Sequence, residues 1–414
     1  MGSTYSMPLL NQWPRVARTL VLISALALAG CIEKPAPAEQ VDSERSTDSE
    51  AAKAHEKLWN PLTLLHAMGK VVLPPVYEAL VVSANDLVRD ANGFCRAPDS
   101  AGLATLQTQW LQVSTLWANS SALLLEPVLE DNLDLELNDK AKASIIVNEL
   151  LTTTVPARLD VEFIDLTASS RAKGLYAIEF LLFDANRLNP VAPLDDNDAT
   201  LALFTTDTAR VRRCEYLQAL TTHLQQKLTN IHQRWQPDGG DFSGDIANAG
   251  TTGKIYDSTW QGIEDLVNKF VQSTEQLKNT ALAIPLGSKS HGVAKPFSVT
   301  HWRSQSSLAH AKALLKGLTK VYRGLDATGA NEYGFDDQLE VVGQEALAVA
   351  IDAQLEKVRV ALDAIDGSLY QAVGQKSAEV EAALQATTVL TGLVKRDMSN
   401  ALGVSIGFTS NDGD

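Results

Sequence analysis

From Trp59 onward the apolar residues of this chain recur at helical spacing, and the alternation that a half-buried strand needs is almost absent. Leu65, Met68 and Val72 follow that spacing, as do Ala79, Val82 and Leu87, and Pro74-Pro75 should break or kink this first helix. Leu103, Leu106, Trp110, Leu111, Val113 and Trp117 mark the inward face of a second helix, from about Ser100 to Ser120. Further helices are expected near 139–151, 165–183 and 206–235, the last with Leu217, Leu220, Leu224 and Leu228 on one face. Others follow near 258–282 and 304–321, over 337–369, and near 377–402. Glycines at 239–240 and from Gly244 to Gly253 punctuate the chain. The expectation is an all-α protein of two helical-bundle halves, spanning 55–238 and 254–414.

The N-terminus carries a different signal. Arg15 and Arg18 precede the apolar run Leu20–Ala29, which is too short to span a bilayer and ends in Leu28-Ala29-Gly30-Cys31. Residues 1–30 read as a lipoprotein signal peptide, with Cys31 the first mature residue and the site of lipidation. An ordinary signal peptide with a chance cysteine is the plainer alternative. Ile32 is not Asp, which resembles the outer-membrane sorting pattern. The expected location is the cell envelope, on the outer membrane facing the periplasm or the surface. Two or more acyl chains hold a protein stably where one is reversible. Residues 31–54 are rich in Pro, Ala, Glu, Ser and Asp and read as a flexible tether.

The net charge is −15, and loss of Arg15 and Arg18 with the leader makes it two units more negative. Such a surface excludes electrostatic binding to nucleic acid or to anionic lipid. Of three cysteines, Cys31 is assigned to lipid, leaving Cys95 and Cys214 as a disulfide candidate in an oxidising compartment, or as two buried thiols. No Cys-x-x-Cys or Cys-x-x-His spacing suggests zinc.

Several segments, in order, resemble the imelysin-like family of bacterial envelope proteins. They are Val72-Leu-Pro-Pro-Val-Tyr77, Arg171 to Phe183, Arg212-Arg-Cys-Glu-Tyr-Leu217, Trp302-Arg-Ser-Gln-Ser-Ser307 and Leu402 to Phe408, the last leading to Asp412-Gly-Asp414. The resemblance implies two helical bundles with a site at their interface, a periplasmic or surface location and a link to iron acquisition. It also implies a peptidase alternative, with the His and Glu of a Gly-x-His-x-x-Glu motif as metal ligands. Here that motif aligns as Gly174, Tyr176 and Glu179, so tyrosine stands in the histidine position. Residues three apart on a helix share a face. A phenol and a carboxylate there suit ferric iron better than Zn²⁺ or Fe²⁺. The plainer alternative packs Tyr176 at the interface and pairs Glu179 with Arg171 or Arg303; a small-ligand pocket is a third.

By the same resemblance Glu126 points toward the site and Ser304 helps line it. Ser304, Ser306 and Ser307 otherwise read as a helix N-cap. Asp397 binds ligand or pairs with an arginine. The terminal Asn411-Asp412-Gly413-Asp414 reads as a solvated end, since it lacks the remaining ligands of a calcium loop. A peptidase receives little support from the residues themselves. There is no His-Glu-x-x-His, and His55, His66, His223, His232, His291, His301 and His310 are dispersed without an i, i+4 pair. There is no Gly-x-Ser-x-Gly either. The expectation is therefore a non-catalytic envelope protein that binds iron or an iron-related small ligand alongside iron-uptake components. A metal-dependent peptidase and an interaction scaffold are the alternatives. For the anchor, Cys31→Ser is expected to abolish acylation and move the chain from the membrane to the soluble fraction. Undiminished incorporation of labelled fatty acid in that variant would refute the assignment.

Overall fold

Long amphipathic helices joined by capped turns build the protein. The computed structural model describes residues 61–125, 132–140, 142–183 and 196–407. The leader, Cys31, the tether, Glu126 and the terminal Asn411–Asp414 lie outside the described residues. Among the described residues there is no strand, only an isolated bridge between Leu325 and Asn331, and the chain is all-α.

Eight helices carry most of the packing. They are α1 (Pro74–Arg96), α2 (Ser100–Asn119), α3 (Gly174–Leu182), α4 (Arg210–Trp235), α5 (Thr259–Glu275), α6 (Ser307–Tyr322), α7 (Glu345–Asp363) and α8 (Ala378–Gly392). The helical turns of residues 61–72 end at Leu73 and Pro74-Pro75 starts α1, so the chain breaks at the prolines as expected. The first N–H groups of a helix have no intrahelical partner, so proline loses nothing there. Asp99 caps α2 by accepting from the Gly102 N–H at 2.7 Å, and Ser258 caps α5 through the Gln261 N–H at 3.2 Å.

α1 packs against α2 and α4, while α7 packs against α8, and α2 also lies along α6. That last contact brings early and late parts of the sequence together. It depends on Gly317 of α6, where a Cβ would sit 1.9 Å from the Asn119 carbonyl oxygen. Beside it the Asn119 side-chain amide donates to the Ala313 carbonyl at 3.1 Å. The glycine-bearing stretch 238–253 holds a short buried helix, Phe242–Ala247, packed on residues 68–72. Phe242 meets Trp235 edge-on at 4.8 Å. Early residues 61–67 contact both this helix and α5.

Two expected helices change register. The segments near 258–282 and 377–402 end in π-helical turns, Gln276–Ala283 and Leu393–Met398. The helix expected over 165–183 is instead a short helix, Val161–Leu166, a turn and α3. Gly174 explains the break. Its φ is +67°, and a Cβ would lie 2.2 Å from the Glu136 carbonyl oxygen.

A disulfide joins Cys95 at the end of α1 to Cys214 in α4, with Cα atoms 5.6 Å apart and a sequence separation of 119. A closed loop of that length is worth about 4–5 kcal/mol in the chain-entropy account.

The α2–α6 contact yields a prediction. Alanine is preferred over glycine within a helix by about 1 kcal/mol. At position 317 the added methyl must push two backbones apart. Gly317→Ala is expected to destabilise the protein by about 1–3 kcal/mol, read from urea unfolding. A stabilised variant would contradict the close approach.

Candidate functional site

Every residue of α3 is buried, which is rare for a helix carrying a carboxylate. Lys173, just before it, is buried beside Glu136 at 3.5 Å, and the Trp110 indole N–H donates to the Leu175 carbonyl at 3.0 Å. These contacts fix which way Tyr176 and Glu179 project.

Glu179 is 1 % exposed, and a loop from a distant part of the chain encloses it. The Ser304 N–H and hydroxyl both donate to Oε1 at 2.9 Å, and His301 Nδ1 donates to Oε2 at 3.2 Å. The Ser304 hydroxyl also lies 2.8 Å from that of Ser306. To make this wrap His301 and Gln305 adopt positive φ, 48° and 56°. A non-glycine residue holds that conformation only when its surroundings over-determine it. Burial alone would raise the Glu179 pKa. The charge and hydrogen bond of His301, the Ser304 N–H and the charge of Arg303 outweigh it, so the carboxyl is held below its usual range.

The Tyr176 ring stacks on His301, with centroids 4.2 Å apart and planes 13° from parallel. His301 in turn lies 4.3 Å from His310, and Trp110 presents its edge to His301 at 5.1 Å. Burial, and then the charge of Glu179, push the Tyr176 phenol above its usual range.

His310 Nδ1 lies 2.8 Å from the Ser306 carbonyl. A carbonyl only accepts, so Nδ1 carries the proton. Burial, and then the charge of His301, push the His310 imidazole well below its usual range, so the ring is neutral. Its Nε2 is therefore a bare lone pair. It is buried and has no hydrogen-bond partner.

The rings of Tyr176, His301 and His310 line a cavity of about 60 Å³ with Trp117, Asn138 and Thr280. One wall comes from the π-helical turn Gln276–Ala283. Such turns occur often at functional sites. The volume suits an ion with a few waters, since one water needs about 10–15 Å³.

Of the sequence-predicted residues, Tyr176, Glu179, Arg303 and Ser304 come together here. The Arg303 guanidinium lies over Trp302 at 4.1 Å and over Phe180 at 5.4 Å. Arg171 instead faces Asp139 at 3.7 Å, and Asp397 pairs with its neighbour Arg396 at 2.7 Å. Ser306 is the N-cap residue of α6 but makes no side-chain cap. Sequence reasoning missed the roles of His301 and His310. They are nine residues apart, one in a loop and one on a helix, so no spacing rule joins them. The only hint was that they flank the serine-bearing segment 302–307.

The enclosed carboxylate sets an acid-stability prediction. A carboxyl held below its normal pKa stabilises the fold at neutral pH, and that contribution fades as pH falls from its unfolded value, near 4.5. Glu179→Gln removes this acid limb. At neutral pH the variant is expected to be less stable by about 3–5 kcal/mol, because His301 loses its buried partner. Its urea midpoint should vary less than the wild type's between about pH 5 and 3. Parallel curves for the two proteins would refute the electrostatic account.

Known structures share this architecture. A protein from Parabacteroides distasonis, named as an iron-regulated protein A precursor, superposes with a TM-score of 0.68 at 17 % identity. The match covers 83 % of this chain and 94 % of that one. An imelysin-like protein from Psychrobacter arcticum gives a TM-score of 0.63 at 20 % identity, covering 84 % of this chain and 97 % of the other. At these identities the likeness is one of fold. No curated protein matches this chain. The family model described as Peptidase_M75, imelysin, matches residues 74–395, from the start of α1 through α8 and beyond. By that extent the chain belongs to the imelysin family.

Proposed function

We propose that this protein is a non-catalytic lipoprotein of the cell envelope, anchored through Cys31. It takes up iron or an iron-related small ligand in the cavity beside Tyr176, His301 and His310. The observation that carries the reading is a cavity of about 60 Å³ bordered by a buried imidazole nitrogen without a partner. A buried polar atom left unsatisfied is costly unless something meets it. The name of the Parabacteroides distasonis structure adds a link to iron regulation for that protein.

The arrangement of polar groups argues against hydrolysis. In a serine hydrolase the imidazole lies between carboxylate and hydroxyl, so that it takes the hydroxyl proton. Here the carboxylate lies between imidazole and hydroxyl. Ser304 gives its hydrogen bond to a carboxylate held in its charged form, which is a weak base. The cavity is also too small for a peptide. The second reading, a metal-dependent peptidase, draws on the description of the matching family.

The test uses the full chain purified in detergent. Iron content after loading and hydrolysis of a mixed peptide pool are measured for the wild type and for Glu179→Ala. Stoichiometric iron with no hydrolysis is the expected result. Peptide turnover that disappears in Glu179→Ala would overturn the binding reading in favour of the peptidase.

A further inference from the structure

The two histidines at the cavity share an arrangement that neither the family motif nor the phenol accounts for. Each has its Nδ1–H committed to a fixed acceptor. His301 donates to the Glu179 carboxylate at 3.2 Å, and His310 to the Ser306 carbonyl at 2.8 Å. A histidine that binds a metal almost always donates its other ring N–H to a carboxylate or a backbone carbonyl, which sets the tautomer and aims the free nitrogen. Both acceptor types occur here, one on each ring. The rings lie 4.3 Å apart with planes 31° from parallel, and both border the same cavity. Nε2 of His310 has no partner.

We infer that the cavity holds a borderline divalent transition-metal ion through Nε2 of His301 and Nε2 of His310, the ion taking the place of the proton that a charged His301 carries on Nε2. This rests on the reading of the cavity as the binding site, and it names the ligand class and the ligating atoms. Imidazole suits Zn²⁺, Cu²⁺, Ni²⁺ and iron, and carboxylate or carbonyl oxygens suit harder ions. Glu179 is spent on Ser304 and His301, so it orients the site rather than ligating. Among the described residues no group of three His, Cys, Asp or Glu is placed to hold a metal. An ion here keeps water or carrier ligands in its remaining positions, and the volume of the cavity allows a few such waters. Two protein ligands make a site from which an ion is readily exchanged, which suits transfer between carriers better than catalysis, where three protein ligands are usual.

The experiment is an equilibrium titration of the full chain in detergent with Zn²⁺, with Cu²⁺ and with ferric citrate. It compares the wild type, His310→Gln, Glu179→Gln and Tyr176→Phe. One equivalent of divalent ion is expected to bind. His310→Gln should weaken it at least about 10-fold, Glu179→Gln by about 10- to 100-fold, and Tyr176→Phe should leave it nearly unchanged. Electron paramagnetic resonance of the Cu²⁺-loaded wild type should show coupling to two imidazole nitrogens, a readout that requires no variant to fold. Absence of divalent binding, unchanged affinity in His310→Gln, or coupling to fewer than two nitrogens overturns the inference. Ferric binding that depends on Tyr176 and not on His310 also overturns it, while leaving the iron-binding reading in place. Binding of none of the three would remove both.

Discussion

A carboxylate taken fully out of water is tolerated only when its charge and lone pairs are met, and Glu179 is the buried acid around which this protein is arranged. Its partners come from residues 301–304, more than a hundred positions later in the chain. The loop that delivers them bends through two non-glycine residues with positive φ. Once His301 is held by Glu179, its ring fixes the stack with Tyr176 and the position against His310. The shape of the cavity follows from that one enclosure.

Other polar contacts show the same preference for joining distant segments. Glu275, 1 % exposed at the end of α5, is 2.7 Å from Lys395 in the π-helical turn after α8. His223 of α4 stands between Glu136 at 3.3 Å and Asp165 at 3.4 Å, beside the buried Lys173. Replacing both members of a buried ion pair by well-packed apolar groups is often neutral or stabilising. Such pairs therefore act mainly by specifying which helices meet. The disulfide between α1 and α4 adds a covalent tie at one end of the same packing.

How far the sequence was legible depended on how local the governing interaction is. The ends of α2 were readable within a residue or so, because its apolar face recurs at helical spacing within the segment itself. The break at Pro74 was legible too, because a proline cannot continue the helical turns that precede it and is favourable at the start of the next helix. The helix expected over 165–183 failed at Gly174, whose conformation is set by the Glu136 backbone pressing against it. At the site, Tyr176, Glu179 and Ser304 were found through the family resemblance, and helical spacing then put the first two on one face. His301 and His310 were invisible as a pair. Arg171, one of the two arginines named as alternative partners of Glu179, turns instead to Asp139.

Helical periodicity and capping residues are short-range properties, so the sequence alone determined that the chain is all-α and roughly where its main helices lie. The expectation that two cysteines pair also came from composition and compartment. Which loop closes over Glu179, which tautomer His310 adopts and where a cavity remains are settled by contacts between residues far apart along the chain. Those contacts carry no signature in spacing or composition, because burial and hydrogen-bond satisfaction exist only once the helices have packed.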